Sequence, residues 1–320
     1  MSSQSFPLLN LPYLALVHVV RMFGVKELVS LSLISNRMKF IVKHYRNKSL
    51  PLHLSLIGSF HPTVVLREQD NFFNFVRIIV KPLLTTRPDE LQGAHRDEDE
   101  YVTYWNNEVR GTKFLLDSLC DLFGIIVKEV TLEGNEVWML DLVEKMQGSS
   151  YVAKVMGDEK LSNDEFRHIL LNLNPTSLII GPFHSNDDFK IENFHKKYQT
   201  LFLFQGTWIT MDNLLQLDCI ELTITEKNFT SQEMERYIRH VLTGGANRLR
   251  SFSAEVDDHD VILALEAMLE LSTGEEEIHV NFRSWELITK KKREDGMVKI
   301  SIEYGFYHHV IALTVEELAE

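Results

Sequence analysis

Residues 198–224 read Tyr198-Gln-Thr-Leu201-Phe-Leu203-Phe-Gln-Gly-Thr-Trp208-Ile-Thr-Met211-Asp-Asn-Leu-Leu-Gln-Leu217-Asp-Cys-Ile220-Glu-Leu222-Thr-Ile224. Two strand-like runs, Thr200–Phe204 and Ile220–Ile224, bracket a helical run, Met211–Leu217. The spacing Tyr198-x-x-Leu201-x-Leu203 returns as Leu217-x-x-Ile220-x-Leu222, and in shorter form as Leu249-x-x-Phe252. Outward from here the alternation continues, with strands expected at Val127–Leu132, Val152–Met156, Ser177–Ile180, Leu249–Ala254 and Ile278–Phe282. Helices are expected at Phe114–Phe123, Val137–Met146, Phe166–Leu173, Met234–Leu242 and Val261–Leu271. Strand centres at Val130, Val155, Ile179, Leu203, Leu222, Phe252 and Val280 lie 25, 24, 24, 19, 30 and 28 residues apart, a mean of 25. Ser162-x-x-Glu165 and Thr230-x-x-Glu233 are capping boxes, in which side chains pair the first free amides of a helix. One strand and one helix per 25 residues is the period of leucine-rich-repeat-like arrays; with no asparagine ladder the repeats here are degenerate. An open doubly wound sheet also alternates strands and helices. Regular spacing and short helices favour the array.

The ends differ from this α/β centre. Before Pro51, three short helical runs follow one another: Pro12 through Leu16, Val17 and Val20; Leu28 through Ser32; and Met38, Ile41, Val42 and Tyr45 at helical spacing. Such a small unit needs a partner or the following domain for stability. Residues 52–80 read as a small antiparallel set, and 85–100, with proline, glycine and a dense acidic run, as an exposed loop. Trp285–Thr289 and Met297–Ile302 flank the basic run Lys290–Arg293 and the turn pair Asp295-Gly296, with a third strand over Phe306–Val315. The basic run is a charged strand edge or a localisation signal. The resulting division is 1–50, 51–110, 111–284 and 285–320.

Composition limits the function. With 320 residues, 44% hydrophobic and 25% charged, the chain is an ordinary globular sequence of about two domains. Cys120 and Cys219 have no zinc-site spacing and suggest a reducing compartment, cytoplasmic or nuclear. No run of 18 apolar residues predicts a membrane span, and the first residues do not resemble a secretion signal. A net charge of −13 argues against general nucleic-acid binding. That charge is uneven: residues 1–50 hold Arg21, Lys26, Arg37, Lys39, Lys43, Arg46 and Lys48 against Glu27 alone, or +6, which leaves −19 for the rest. Phosphate-binding glycine motifs, G-x-S-x-G and H-E-x-x-H are all missing. Glu255, Asp257, Asp258 and Asp260 precede a helical run, where acids favour the helix dipole. His240, His259 and His279 are scattered, His308-His309 would face opposite sides of a strand, and Trp208 reads as core. Neither a cofactor nor a metal is expected.

The first segment, Phe6-Pro7-Leu8-Leu9-Asn10-Leu11-Pro12 followed by Leu16, Val20, Glu27-Leu28, Leu31-Ser32-Leu33, Ser35 and Arg37, resembles an F-box. Leu14 stands where many members place an acid. The run from Trp208 through Leu222, continuing through Phe229-Thr-Ser-Gln-Glu-Met-Glu-Arg-Tyr237-Ile-Arg-His-Val and Leu249-Arg, resembles the type-2 F-box-associated domain of large nematode F-box families, over about 195–260. The resemblance implies a non-catalytic substrate receptor of a Skp–cullin–F-box ubiquitin ligase. The head would dock a Skp-type adaptor, and through it cullin, and the body would hold an unknown target protein. A repeat scaffold without a ligase role, or an α/β enzyme with a helical appendage, are the alternatives.

On this reading Leu11, Pro12, Leu16, Val20, Leu28 and Leu31 are the expected adaptor contacts, and the basic side chains of the third helical run, Lys39, Lys43 and Arg46, steer association. Target contacts are expected from strands 200–204, 220–224 and 249–254, with Gln205, Thr223, Thr225, Ser251 and Ser253 as candidates.

Overall fold

The computed structural model describes residues 8–69, 71, 73–83, 100–157, 161–182, 189–256, 276–280, 284–293, 296–305 and 310–317. The chain forms two compact units, Met1–Thr131 and Leu132–Glu320.

The first unit opens with a short 3-10 turn at Leu8–Asn10 and three helices, α1 (Tyr13–Met22), α2 (Val25–Ile34) and α3 (Asn36–Tyr45). Pro12 immediately precedes α1, where its missing amide costs nothing. Ser35 caps α3 by accepting the Met38 amide at 3.2 Å. Leu16, Val20, Val25, Leu28, Val29, Met38, Ile41 and Val42 are buried and form the centre of this helical head.

Strands β1 (Leu52–Gly58), β2 (Pro62–Glu68) and β3 (Phe75–Pro82) pair antiparallel in sequence, as expected. The next strand, β4 (Glu100–Trp105), is a departure, because it runs parallel to β3. Parallel neighbours need a crossover connection, and the seventeen residues between Pro82 and Glu100 supply that length. The long helix α4 (Glu108–Phe123) starts at Asn107, whose side chain accepts the Arg110 amide at 2.9 Å. It stops at Gly124, whose φ of +62° suits a residue without Cβ. Strand β5 (Val127–Leu132) then lies beside β1, giving the order β5-β1-β2-β3-β4.

The head is continuous with this sheet. Glu68, at the end of β2, accepts the Val25 amide at 3.2 Å and so caps α2 from another element. Asn74 holds the same carboxylate at 2.5 Å. A Cβ on Gly24 would lie 2.5 Å from the side-chain nitrogen of Asn74, so a larger residue here would displace the Asn74 side chain. Ser30 of α2 bonds to the Tyr101 hydroxyl of β4, and α3 packs against α4.

In the second unit helices and strands alternate: α5 (Trp138–Gln147), β6 (Val152–Val155), α6 (Asn163–Leu171), β7 (Ser177–Ile180), β8 (Lys197–Leu203), α7 (Met211–Leu214), β9 (Asp218–Phe229), α8 (Ser231–Leu242) and β10 (Ser251–Val256). Both capping boxes form, at Ser162 and Thr230. Strands β6 to β10 are parallel, and each lies beside its predecessor in the chain. They show none of the reversal that gives a doubly wound sheet its switch point. The expected helix Val261–Leu271 and the acids 257–260 lie outside the described residues.

Four antiparallel strands complete this sheet: β11 (Glu276–Val280), β12 (Ser284–Arg293), β13 (Gly296–Gly305) and β14 (Val310–Glu317), with β14 beside β10. β11 was expected to close the parallel series and instead pairs antiparallel with β12. The basic run Lys290–Arg293 belongs to β12 and pairs with Gly296–Lys299.

Cross-strand rows show where the core sits. Ala153, Leu178, Leu201, Leu222, Phe252, Leu313 and Ile302 are register neighbours, and all are buried. Two residues further along, Val155, Ile180, Leu203, Ile224, Ala254, Ile311 and Tyr304 form a second buried row. Helix α8 covers this face, with Tyr237 and Phe252 rings 4.5 Å apart. Burial makes the repeating pattern Tyr198-x-x-Leu201-x-Leu203 and Cys219-x-x-Leu222-x-Ile224. The second copy is therefore two residues later than the Leu217-x-x-Ile220-x-Leu222 spacing suggests. Trp208 is core as expected, enclosed by the rings of Phe166, Phe189 and Phe194.

Candidate functional site

Apolar side chains left in water on a small helical unit are its most informative feature. On the head, Tyr13, Leu14 and Met22 of α1, Leu33 and Ile34 of α2, and Phe40 of α3 are exposed, Leu14 by 79% and Ile34 by 69%. An aromatic chain connects two of these helices. Tyr13 meets Tyr45 edge-on at 5.5 Å, Tyr45 lies 6.4 Å from His44, and His44 stacks on Phe40 at 3.9 Å.

The six residues expected to contact an adaptor divide by burial. Pro12 is exposed, and Leu11 and Leu31 are half-buried. Leu16, Val20 and Leu28 are in the head's own core, the last two with no exposed surface. Val20 and Leu28 thus face the head's own interior: the resemblance that marks these apolar positions does not say which neighbour covers them. Leu14, Ile34 and Phe40 were missed as surface candidates; their only sequence signal is an apolar residue off the core-facing stripe.

The basic face of α3 needs a similar correction. Lys39 is half-buried and Arg37 is exposed. Lys43 pairs with Asp121 of α4, which holds that carboxyl below its ordinary range through the hydrogen bond. Arg46 is buried. Its guanidinium donates to the carbonyls of Leu122 at 3.4 Å, Phe123, and Asn47 at 3.3 Å, and stacks 5.3 Å from the Phe123 ring. Burial lowers its pKa below the ordinary arginine value. Arg46 closes the C-terminal end of α4, where backbone carbonyls carry partial negative charge. It cannot steer a partner from there.

Two hollows lie beside α2 in this unit. One, of about 560 Å³, is lined by Arg21, Gly24, Glu27, Asn47, Glu68 and Asn74, and the other, of about 290 Å³, by Lys26, Ser30, Leu31 and Tyr101. Glu68 is already engaged in capping α2, and Ser30 and Tyr101 bond to each other.

In the second unit the sheet face opposite the buried rows carries the expected target residues. Lys154, Ile179, Phe202, Thr223, Ser253 and Ala312 are half-buried register neighbours leading to exposed Glu303. The structure thus sets Thr223 beside Ser253. Exposed Ser251 lies in the adjacent polar row, between Glu221 and Thr314. Thr225 lies within β9 just past the end of β8, its hydroxyl donating to the Phe204 carbonyl at 2.6 Å. Gln205 is half-buried in the loop after β8, which folds tightly because Gly206 meets Ile224: a Cβ there would be 2.2 Å from the Ile224 side chain. Sequence reasoning missed the apolar side chains on this face, Ile179, Phe202, Phe204 and Met156. Alternation reveals them only after the buried register is known.

Among the described residues no group of three His, Cys, Asp or Glu is placed to hold a metal ion. None of the described helices is long and apolar enough to cross a membrane. Cys219 is buried and its thiol is pushed up to about 12 by desolvation, while half-buried Cys120 rises to about 11. Glu255 accepts the Glu226 amide at 3.1 Å.

Comparison with known proteins identifies two domains. The family model described as F-box domain matches residues 8–50, and the one described as F-box associated matches residues 186–254. The first covers the three-helix head; the second runs through β8, α7, β9 and α8 to within β10. No curated protein matches the chain. Among solved structures, an S-adenosylmethionine-dependent methyltransferase from Clostridium acetobutylicum is 10% identical over 67% of this chain and 76% of that one, with a TM-score of 0.16. At that score the likeness carries no argument. The chain thus carries an F-box domain followed by an F-box-associated domain, in the order that the residues themselves suggest.

Proposed function

We propose that this protein is a substrate receptor of a Skp–cullin–F-box ubiquitin ligase. The head docks a Skp-type adaptor, which brings cullin, and the second unit holds a target protein. The observation that carries this reading is the exposed apolar set on the F-box domain, from Tyr13 and Leu14 on α1 to Ile34 and Phe40 on α2 and α3. Buried anchors of this type dominate protein interfaces. The chain-ordered parallel strands and their repeated buried spacing support a leucine-rich-repeat-like array for the body. Its role is binding rather than catalysis, exercised in the cytoplasm or nucleus.

The test is binding to a purified Skp-type adaptor by titration calorimetry. Pro12→Ala, Leu14→Ser and Ile34→Ser alter exposed side chains, so folding by circular dichroism should be unchanged. If each anchor is worth about 2 kcal/mol, a single change weakens binding roughly thirtyfold. Full-strength binding by the triple variant would refute the docking role of this face. No binding by the intact chain would leave a scaffold without a ligase role.

A further inference from the structure

The open sheet face of the second unit has an uneven chemistry, and this unevenness describes its partner. At one end, Met156 and Phe204 remain 44% and 37% exposed at the ends of β6 and β8, flanked by Ile179 and Phe202. In the middle the rows carry hydroxyls: Thr223 and Ser253 in one, Thr200, Ser251, Thr314 and Ser301 in the next. Acids are set among and beyond them. Glu221 shares the hydroxyl row, Glu255 follows Ser253 by two residues on β10, and Glu303, the register partner of Glu286 on β12, lies in the row that starts at the apolar side.

Among the described residues, Lys299 of this face pairs with Glu316 at 3.4 Å. Lys154 lies at the apolar end, next to Ile179. Among the described side chains, the rows from β8 to β13 also hold the carboxylates of Glu221, which accepts the Thr200 hydroxyl at 3.0 Å, of Glu255, which accepts the Glu226 amide, and of exposed Glu303. Opposite charge is what such a surface selects, by steering encounter and by rejecting acidic partners.

Resting on the receptor reading above, we propose that the target segment bound here is an extended, basic peptide stretch with an apolar anchor. The apolar side chain packs against Phe202, Phe204 and Ile179, and Lys or Arg side chains face Glu221, Glu255 and Glu303. The geometry fixes their separation. Phe202 and Glu303 are four strand spacings apart along one row, β8-β9-β10-β14-β13. At about 4.8 Å per spacing that is roughly 19 Å, which an extended chain covers in about six residues at ~3.3 Å each. Thr223 and Ser253 lie along this path and offer hydroxyls to the segment's backbone.

The probes are fluorescein-labelled synthetic decapeptides, followed by anisotropy against the full chain. One carries a Phe-Leu pair and a Lys-Arg pair six residues apart, a second has the pairs adjacent, and a third replaces Lys-Arg with Glu-Asp. The spaced basic peptide should bind at least tenfold more tightly than either other peptide. Combining Glu221→Gln, Glu255→Gln and Glu303→Gln should weaken it about tenfold and flatten its salt dependence. Asp164→Asn, Asp212→Asn and Glu235→Gln remove the same charge from helices α6, α7 and α8 and should leave binding unchanged. Equal binding of the acidic peptide, no binding of any peptide, or equal loss in the two triple variants would overturn the proposal. Adaptor binding is measured on the same preparations. An adaptor complex without peptide binding sinks this proposal alone, and peptide binding without an adaptor complex sinks the ligase reading alone.

Discussion

Replacing Arg46 with alanine should damage the first unit far more than its position after a surface helix suggests. The guanidinium donates to the carbonyl of Phe123 and, at 3.4 Å and 3.3 Å, to those of Leu122 and Asn47. Hydrogen bonds from a charged donor contribute about 1.5–3 kcal/mol each when well formed. Here one counts nearly in full and the others in part, while desolvation of the cation opposes them. A loss of about 3 kcal/mol is expected, because removal also strands carbonyls at the end of α4. For a unit of this size that corresponds to a drop in Tm of roughly 10 °C. Arg46→Lys keeps the charge without the planar fork and should recover about half of the loss. Lys43→Ala breaks only the exposed pair with Asp121 and should cost at most about 1 kcal/mol. Urea unfolding of the full chain, read by hydrogen exchange in peptides covering 36–58 and 108–132, assigns each loss to this unit. If Arg46→Ala lies within about 0.5 kcal/mol of Lys43→Ala, the capping argument is refuted.

Three other outcomes follow from burial and capping. Phe252→Ala should cost about 3–5 kcal/mol and Thr223→Ala less than ~1, because they occupy opposite faces of the sheet; equal losses in denaturant unfolding would contradict the assignment of faces. Thr230→Ala should cost about 1 kcal/mol by breaking the α8 capping box, seen as faster amide exchange in its first turn and nowhere else. Burial penalises the thiolates of Cys219 and Cys120 and pushes their pKa values up to about 12 and 11, so at pH 8 reaction with an alkylating reagent should be slower than for a free thiol and should still rise steeply with pH above 9, where a free thiol levels off. Rapid labelling of Cys219 at pH 8 in the native chain would contradict its burial.

Much of the fold was readable because it is local. β5 and β7 occupy the residues that β-branched and leucine-rich runs mark, and Ser162 and Thr230 start their helices through side chains three residues apart. The errors share a cause, which is dependence on distant partners. Leu217, Ile220 and Leu222 satisfy the same apolar spacing as Cys219, Leu222 and Ile224, and only the pairing of Cys219 with Tyr198 decides between them. β4 finds its parallel neighbour across seventeen residues, so no hairpin signal announces it. Arg46 is buried by a helix end more than seventy residues later. The candidate surfaces were legible as regions rather than as residues. Thr223, Ser251 and Ser253 reach the open face, whereas Val20 and Leu28 were spent on the head's own interior.

The two outside caps on the head have a consequence for the timing of its birth on the ribosome. Its three helices are translated before β2 and α4, yet the start of α2 depends on Glu68, and the site that receives Arg46 is the end of α4 at Leu122 and Phe123. A nascent chain that has just released residue 50 therefore presents a sequence but not yet a settled shape. Another seventy or so residues must emerge before both fastenings close. A chain cut short before α4 would carry every residue of the F-box and still lack the framework that holds it.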